Sequence, residues 1–359
     1  MSFWRNQLAG PTNPSRDAAW EEPEARKGFF TDTSICIGCK ACEVACKEWN
    51  AIPQDGDLNL LGTSYDNTGG LGASTWRHVA FIEQTTDRIN AARESGRRLV
   101  DLGLPALRPP DAAHPRATDA AATAPAGPTG IPPLSGDGDG SVEAAVAQAR
   151  TAQAMGTLPD FRWLMASDVC KHCTHAGCLD VCPTGALFRT EHGTVVVQPD
   201  VCNGCGYCVA ACPFGVIERR GEEGHGAHSG TVSNVGVAQK CTLCYDRLTD
   251  DQTPACAQAC PTTSIKFGEL SEMLDTARDR VNVLHDNGFT EARLYGANSE
   301  DGVGGTGSVF LLLDEPEVYG LPPDPLVPTA DLPDMFRKAG IAAVAMFAMA
   351  VAAFAGRRG

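Results

Sequence analysis

The chain has 359 residues, with 44 acidic side chains against 29 basic ones and a formal charge of −15. That balance disfavours nucleic acid and anionic membrane surfaces as partners, and the length predicts two or three structural units. Aromatic residues make up only 6%, whereas glycine and proline number 38 and 24, so loops and bound groups must replace part of an ordinary core.

Residues 1–30 are polar, with Arg5, Arg16, Glu21, Glu22 and Glu24, and show neither the apolar stretch of a secretory signal nor a twin-arginine pair. They read as an extended arm against a partner, in a chain that stays in the cytoplasm or crosses with that partner. Cys36, Cys39, Cys42 and Cys46 follow, spaced C-x2-C-x2-C-x3-C, and run into Lys47-Glu48-Trp49-Asn50. A short strand is expected near Trp76–Ile82, within a first half-unit over 1–83. Residues 84–160 are rich in Ala, Pro, Gly and Asp and read as an inserted, partly disordered stretch, with one helix over Val142–Met155.

Two further cysteine blocks occupy residues 161–235. Cys170, Cys173, Cys178 and Cys182 are spaced C-x2-C-x4-C-x3-C and lead into Pro183. Cys202, Cys205, Cys208 and Cys212 repeat C-x2-C-x2-C-x3-C and lead into Pro213. Thr194–Val197 is a short strand between them, and Ser229–Val237 a surface loop. The fourth block, within 236–270, is Cys241, Cys244, Cys256 and Cys260, spaced C-x2-C-x11-C-x3-C before Pro261. Beyond it come a helix over Leu270–Gly288 with Ser271 as cap, a buried strand at Val309–Leu313 and a Pro-rich linker over 316–333. Residues 271–333 together read as a partner-contact segment.

All sixteen cysteines belong to these blocks. The third block has the ferredoxin spacing with its trailing proline, which points to thiolate ligation of [4Fe–4S] clusters, and four ligands per cluster imply four clusters. Three cysteines in a tight loop grip three corners of a cubane, and the fourth is carried away by the helix that starts there. Gly38 and Gly204 sit inside such loops, where the backbone must bend freely. Adjacent C-x2-C pairs make a poor disulfide framework for a chain of this size. Zinc also takes paired C-x2-C; it would explain the fourth block but not the C-x2-C-x2-C-x3-C runs. His172, His175 and His192 read as surface or supporting groups, because thiolates already fill every corner. Lys40, Lys171 and Lys240 lie beside cysteines, where their charge could raise cluster potentials; the preferred reading is solvation or an N–H···S contact. If the 84–160 stretch is an insertion, deleting residues 112–140 should leave iron content and the visible spectrum unchanged. Loss of iron in that deletion would make the stretch structural.

Ala339 to Gly356 contains no charged residue and is flanked by Arg337, Lys338, Arg357 and Arg358. As a helix it spans roughly 26 Å, the short end of the range for a membrane crossing. An alanine-rich helix packed in protein is the alternative. Basic residues at both ends leave its orientation open.

Cys36-Ile37-Gly38-Cys39-Lys40-Ala41-Cys42, Cys202-Asn203-Gly204-Cys205-Gly206-Tyr207-Cys208 and Lys240-Cys241-Thr242-Leu243-Cys244 with Asp246-Arg247 resemble the four-cluster iron–sulfur subunits of molybdopterin oxidoreductases. Gly288–Gly296, Gly302–Thr306 and Tyr319-Gly320-Leu321-Pro322 are similar more narrowly to the β subunit of membrane-bound respiratory formate dehydrogenase. The resemblance covers roughly residues 28–83 and 161–356. It implies an α+β, loop-rich fold of two pseudo-symmetric double-cluster ferredoxin-like units, with one C-terminal transmembrane helix within 334–359.

The resemblance also implies how the blocks share ligands. Cys36, Cys39, Cys42 and Cys260 would hold one cluster, and Cys46, Cys241, Cys244 and Cys256 a second. Cys170, Cys173, Cys178 and Cys212 would hold a third, and Cys182, Cys202, Cys205 and Cys208 a fourth. The implied function is electron transfer from formate oxidation, performed in a separate molybdenum or tungsten pterin subunit, to a membrane cytochrome b or quinone-site subunit. No catalytic residue is expected in the chain itself. The iron–sulfur part would lie on the outer, periplasmic side, with the cytoplasmic face as the alternative. The same role beside a hydrogenase or another molybdopterin oxidoreductase is the second reading, and a zinc-bound scaffold the third.

Overall fold

A computed structural model describes residues 14, 18–55, 69–101, 161–221, 232–329 and 332–355. The helix expected over Val142–Met155 and the whole of 112–140 lie outside these residues. In chain order the first elements are β1 (Lys27–Asp32), α1 (Ala41–Trp49), β2 (Arg77–Gln84), α2 (Thr86–Asp101) and β3 (Arg162–Val169). Then come α3 (Gly177–Asp180), β4 (Leu187–Arg189), β5 (Val195–Val197), α4 (Tyr207–Ala211), β6 (Glu218–Arg219) and β7 (Ala238–Gln239). The chain continues through α5 (Tyr245–Leu248), α6 (Ala255–Gln258), β8 (Ile265–Glu269), α7 (Leu270–Asp286), β9 (Arg293–Tyr295), β10 (Ser308–Leu312) and α8 (Leu332–Ala355).

One four-stranded sheet, in the order β8-β1-β10-β9, joins distant parts of the chain. β1 runs parallel to β10, with Phe29 opposite Ser308, and antiparallel to β8, with Phe29 opposite Phe267. Every residue of β10 is buried, as suits a strand covered on both faces. The end of the expected N-terminal arm is therefore a central strand. α7 covers this sheet with Leu270, Met273, Ala277, Val281 and Leu284, one apolar stripe at helical spacing. Its N-cap is Glu269 and makes no side-chain cap; Ser271 lies inside the first turn rather than capping it.

β2 and β3 pair antiparallel from Arg77 opposite Val169 to Gln84 opposite Arg162. The stretch between them thus begins and ends at one pair of facing residues, where loop length carries only a slow entropic cost. Its first part is not loop: α2 buries Ile89, Ala92 and Leu99. Arg162 locks the hairpin end, donating to Gln84 Oε1 at 2.8 Å and to Glu291 Oε1 at 2.7 Å.

β4–β5 and β6–β7 are short hairpins around a second core of Ala176, Leu187, Val195, Cys208, Ile217 and Ala238. The Pro-rich stretch expected as a linker is packed through much of its length. Tyr319, Leu321 and Val327 are buried. Thr329 Oγ1 donates to Asp180 Oδ2 at 2.6 Å. Residues Met335–Phe354 of α8 have a mean hydropathy of 1.6, and none of that span is buried against the rest of the chain. The alternative of a helix packed in the interior of this chain therefore does not hold.

Candidate metal centres

The four cysteine blocks share one backbone device. In the first C-x2-C of each block the residue before the second cysteine has positive φ: Gly38 at 66°, His172 at 44°, Gly204 at 70° and Leu243 at 60°. The turn points backbone N–H groups at sulfur. Leu243 N–H donates to Cys241 Sγ at 3.3 Å. A Cβ on Gly38 would meet the Phe81 ring edge at 2.6 Å, so space as well as φ requires glycine there. His172 and Leu243 take the same conformation without that freedom, which is uncommon for bulky residues and concentrates at functional sites. The glycine signal in the sequence marks only two of the four turns.

A second device recurs at the block exits. Gly185, Gly215 and Thr263 donate N–H back to the carbonyls of Cys182, Cys212 and Cys260, at 3.4, 3.2 and 3.2 Å. Each is the fourth residue of a Cys-Pro turn, where proline presets the second position. Cys46 has no such proline because it lies within α1. There Asn50 takes over, with Nδ2 donating to Cys46 O at 2.8 Å and approaching Cys46 Sγ at 3.8 Å.

The structure brings cysteines of different blocks together in two cavities. Cys36, Cys39, Cys42 and Cys260 line one cavity with Ile37, Pro261 and Ser264. Cys170, Cys173, Cys178 and Cys212 line another with Lys171, Phe214 and Lys240. Burial pushes the Cys46 thiol well up, and the sulfurs of Cys241, Cys256 and Cys244 push it further. Burial, then Cys202, Cys205 and Cys182, raises Cys208 to about 11. Both cavities thus join three cysteines of one block to one of another, and the sulfurs acting on Cys46 and Cys208 continue that pattern into four candidate sets.

The donor chemistry fits cubane clusters. Burial raises Cys178 to about 12, with Cys170 and Cys212 adding repulsion, so the thiols cannot ionise together unless a cationic core balances them. Among the described residues no three His, Cys, Asp or Glu side chains close on a single metal ion. A zinc site gathers its thiolates on one ion, whereas a cubane spreads them over four iron corners.

The first three of these groupings adjoin. Trp49, at the end of α1, donates Nε1–H to Asp246 Oδ2 at 2.8 Å and lies under the Arg247 guanidinium at 4.1 Å. That clasp ties the first block to the fourth. Cys256 raises the thiol of Cys42, after burial and against Arg77 and Ser167, so the first two sets adjoin. Burial and then Cys170 raise Cys241, which places the second set beside the third.

Lys171 and Lys240 depart from the expectation of solvation, and the buried histidines take the supporting place of the two expected for them. Lys171 and Lys240 are 1% and 2% exposed. Lys171 pairs with Asp168, donates to Val169 O at 2.9 Å and lies 5.0 Å from the Phe310 ring centre. Lys240 donates to the carbonyls of Val195 and Cys241. Lys40 stays partly exposed and pairs with Glu43 at 3.4 Å. His172 and His192 are buried. His172 Nδ1 accepts from Val195 N–H at 3.2 Å, and burial pushes its pKa well below the usual range, so it is neutral. The buried Arg77 and Arg189 and the partly buried Arg26 carried no signal in the spacing. Arg26 and Arg189 hold the backbone of the second block, at His172 O and Cys173 O, each at 2.9 Å. Arg77 lies between the first two sets.

Residues 161–270 match the family model described as a 4Fe-4S dicluster domain. The chain is 33% identical over 300 residues to the formate dehydrogenase iron–sulfur subunit of Haemophilus influenzae, covering 82% of this chain and 68% of that one. It is 32% identical over 311 residues to the nitrate-inducible formate dehydrogenase iron–sulfur subunit of Escherichia coli, covering 86% and 76%. A likeness of 45% to the thiosulfate reductase electron transfer subunit PhsB of Salmonella typhi spans 121 residues, 33% of this chain and 56% of that one.

Proposed function

This chain belongs to the iron–sulfur subunits of formate dehydrogenases, and on that premise we propose that it carries electrons from formate oxidation to an acceptor in the membrane. Oxidation itself takes place in a separate molybdenum or tungsten pterin subunit. The likeness to the thiosulfate reductase subunit covers 33% of the chain, against 82% and 86% for the formate dehydrogenase subunits, which favours formate as the donor.

The observations that carry the reading are the two cavities that each join three cysteines of one block to one of another, and the sulfurs of other blocks that act on Cys46 and Cys208. We assign Cys36, Cys39, Cys42 and Cys260 to the first [4Fe–4S] cluster, and Cys46, Cys241, Cys244 and Cys256 to the second. Cys170, Cys173, Cys178 and Cys212 hold the third, and Cys182, Cys202, Cys205 and Cys208 the fourth. Each cluster, when bound, takes up and passes on one electron. The chain's own work is to hold these centres in a row, exclude water from the inner ones and tune them with buried charge.

The position of the anchor supports a direction. Thr329, just before α8, bonds to Asp180, and a Cβ on Gly177 would meet Val327 at 3.3 Å. Asp180 and Gly177 lie in the second block, between Cys173 and Cys182. The anchor thus leaves beside the third and fourth sets, and the first set becomes the end that receives electrons. The membrane acceptor is a cytochrome b or quinone-site subunit, and the iron–sulfur part lies on the outer face.

Purification of the native complex tests the reading. It should contain a pterin-bearing large subunit and about sixteen iron atoms per copy of this chain. Anaerobic formate should bleach its visible absorbance, with no response to hydrogen. A complex reduced by hydrogen and inert to formate would replace the donor assignment, and a colourless zinc protein would overturn the electron-transfer role.

A further inference from the structure

Arg77 opens β2, where it faces Val169 of β3, and is 1% exposed. Its Nη1 donates to Ser167 Oγ at 2.9 Å, and the same oxygen lies 3.2 Å from Cys42 Sγ. The serine can therefore accept from the guanidinium and donate to the sulfur. The guanidinium carbon sits 4.8 Å from the Phe29 ring centre, which fixes the plane of the fork. Nε and Nη2 have no nitrogen or oxygen partner, and the guanidinium hydrogen-bonds Cys256. A buried cation is costly unless negative charge lies beside it.

That charge is on sulfur. Arginine keeps its charge when buried, and the sulfurs of Cys256, Cys42, Cys241 and Cys46 lie around it. These cysteines belong to the first and second sets, so one guanidinium serves two centres.

We infer that Arg77 is a fixed positive charge shared by the first two clusters, and that it raises the reduction potentials of both. The inference rests on the ligand sets proposed above. A cluster gains one negative charge when it is reduced, and a nearby buried cation favours that state. Net charge and hydrogen bonds to sulfur are two of the means by which proteins set cluster potentials. Arginine suits the role because it keeps its charge when buried and its planar fork reaches Ser167 while facing the sulfurs.

An EPR-monitored redox titration of the holo complex tests this with Arg77→Gln, Arg77→Lys and Ser167→Ala. Arg77→Gln should retain its iron, and the midpoints of the first and second clusters should each fall by at least a tenfold change in the reduction constant, about 59 mV for a one-electron couple. The third and fourth should hold. Arg77→Lys should restore most of the loss. Ser167→Ala should lower the first cluster alone. Full iron with unmoved first and second midpoints in Arg77→Gln overturns the proposal. If that variant fails to hold iron, Ser167→Ala decides, and an unmoved first cluster overturns it. A parent complex lacking iron would count against the ligand sets instead.

Discussion

Cys36→Ala and Cys260→Ala should disturb the same EPR-visible cluster, and Cys46→Ala its neighbour. Cys260 lies more than two hundred residues from Cys36, yet both line one cavity with Cys39 and Cys42. Cys46 is four residues from Cys42, but its sulfur is raised by Cys241, Cys256 and Cys244. The cause is α1, which begins at Ala41 and carries Cys46 one turn beyond Cys42. Each substitution should remove one ligand of one cluster, with loss of about a quarter of the iron or conversion to a three-iron form. Spectra must come from assembled protein. If Cys36→Ala and Cys46→Ala alter one cluster while Cys260→Ala alters another, each block keeps its own cluster and the crossed assignment is wrong.

Removing residues 337–359 should release the complex from membranes with its clusters intact. Met335–Phe354 is a helix with mean hydropathy 1.6 and no burial in the rest of the chain. Phe336, Val344, Ile341, Met349 and Met346 are 61–72% exposed and together point to every side of the helix. A helix apolar all round must be covered by lipid or by other membrane helices. Its removal touches none of the cysteine sets. The readout is partition after a salt wash, with iron and visible spectrum measured on the soluble fraction. A truncated complex that stays membrane-bound once its cytochrome partner has been stripped away would refute the anchor.

Much of the site was legible because its chemistry is local. The C-x2-C spacing and the trailing prolines mark the ligand loops, and the turns at Cys182, Cys212 and Cys260 repeat as their prolines imply. Val309–Leu313 and Thr194–Val197 read as strands because their apolar runs are short and uninterrupted, and β10 and β5 lie there. The role of β1 was not legible. Gly28-Phe29-Phe30 is three residues long as an apolar signal, and it is central only because β8 and β10, from far along the chain, close on both its edges. Lys171 and Lys240 read as solvated because lysine usually is. They are buried because aromatic rings and backbone carbonyls from other segments surround them.

By itself, then, the sequence determined the number and kind of ligands, the family and the apolar tail, since each depends on residues a few positions apart. Only the tertiary structure decided what surrounds each sulfur. The Trp49–Arg247 clasp sets the first block beside the fourth, and the fold sets Cys170 beside Cys241. Arg77 reaches the sulfurs because β3 holds Ser167 across from β2, and β3 begins only at Arg162. Charge in a protein interior acts through space over a few ångströms, and which residues come that close is settled by packing rather than by spacing along the chain.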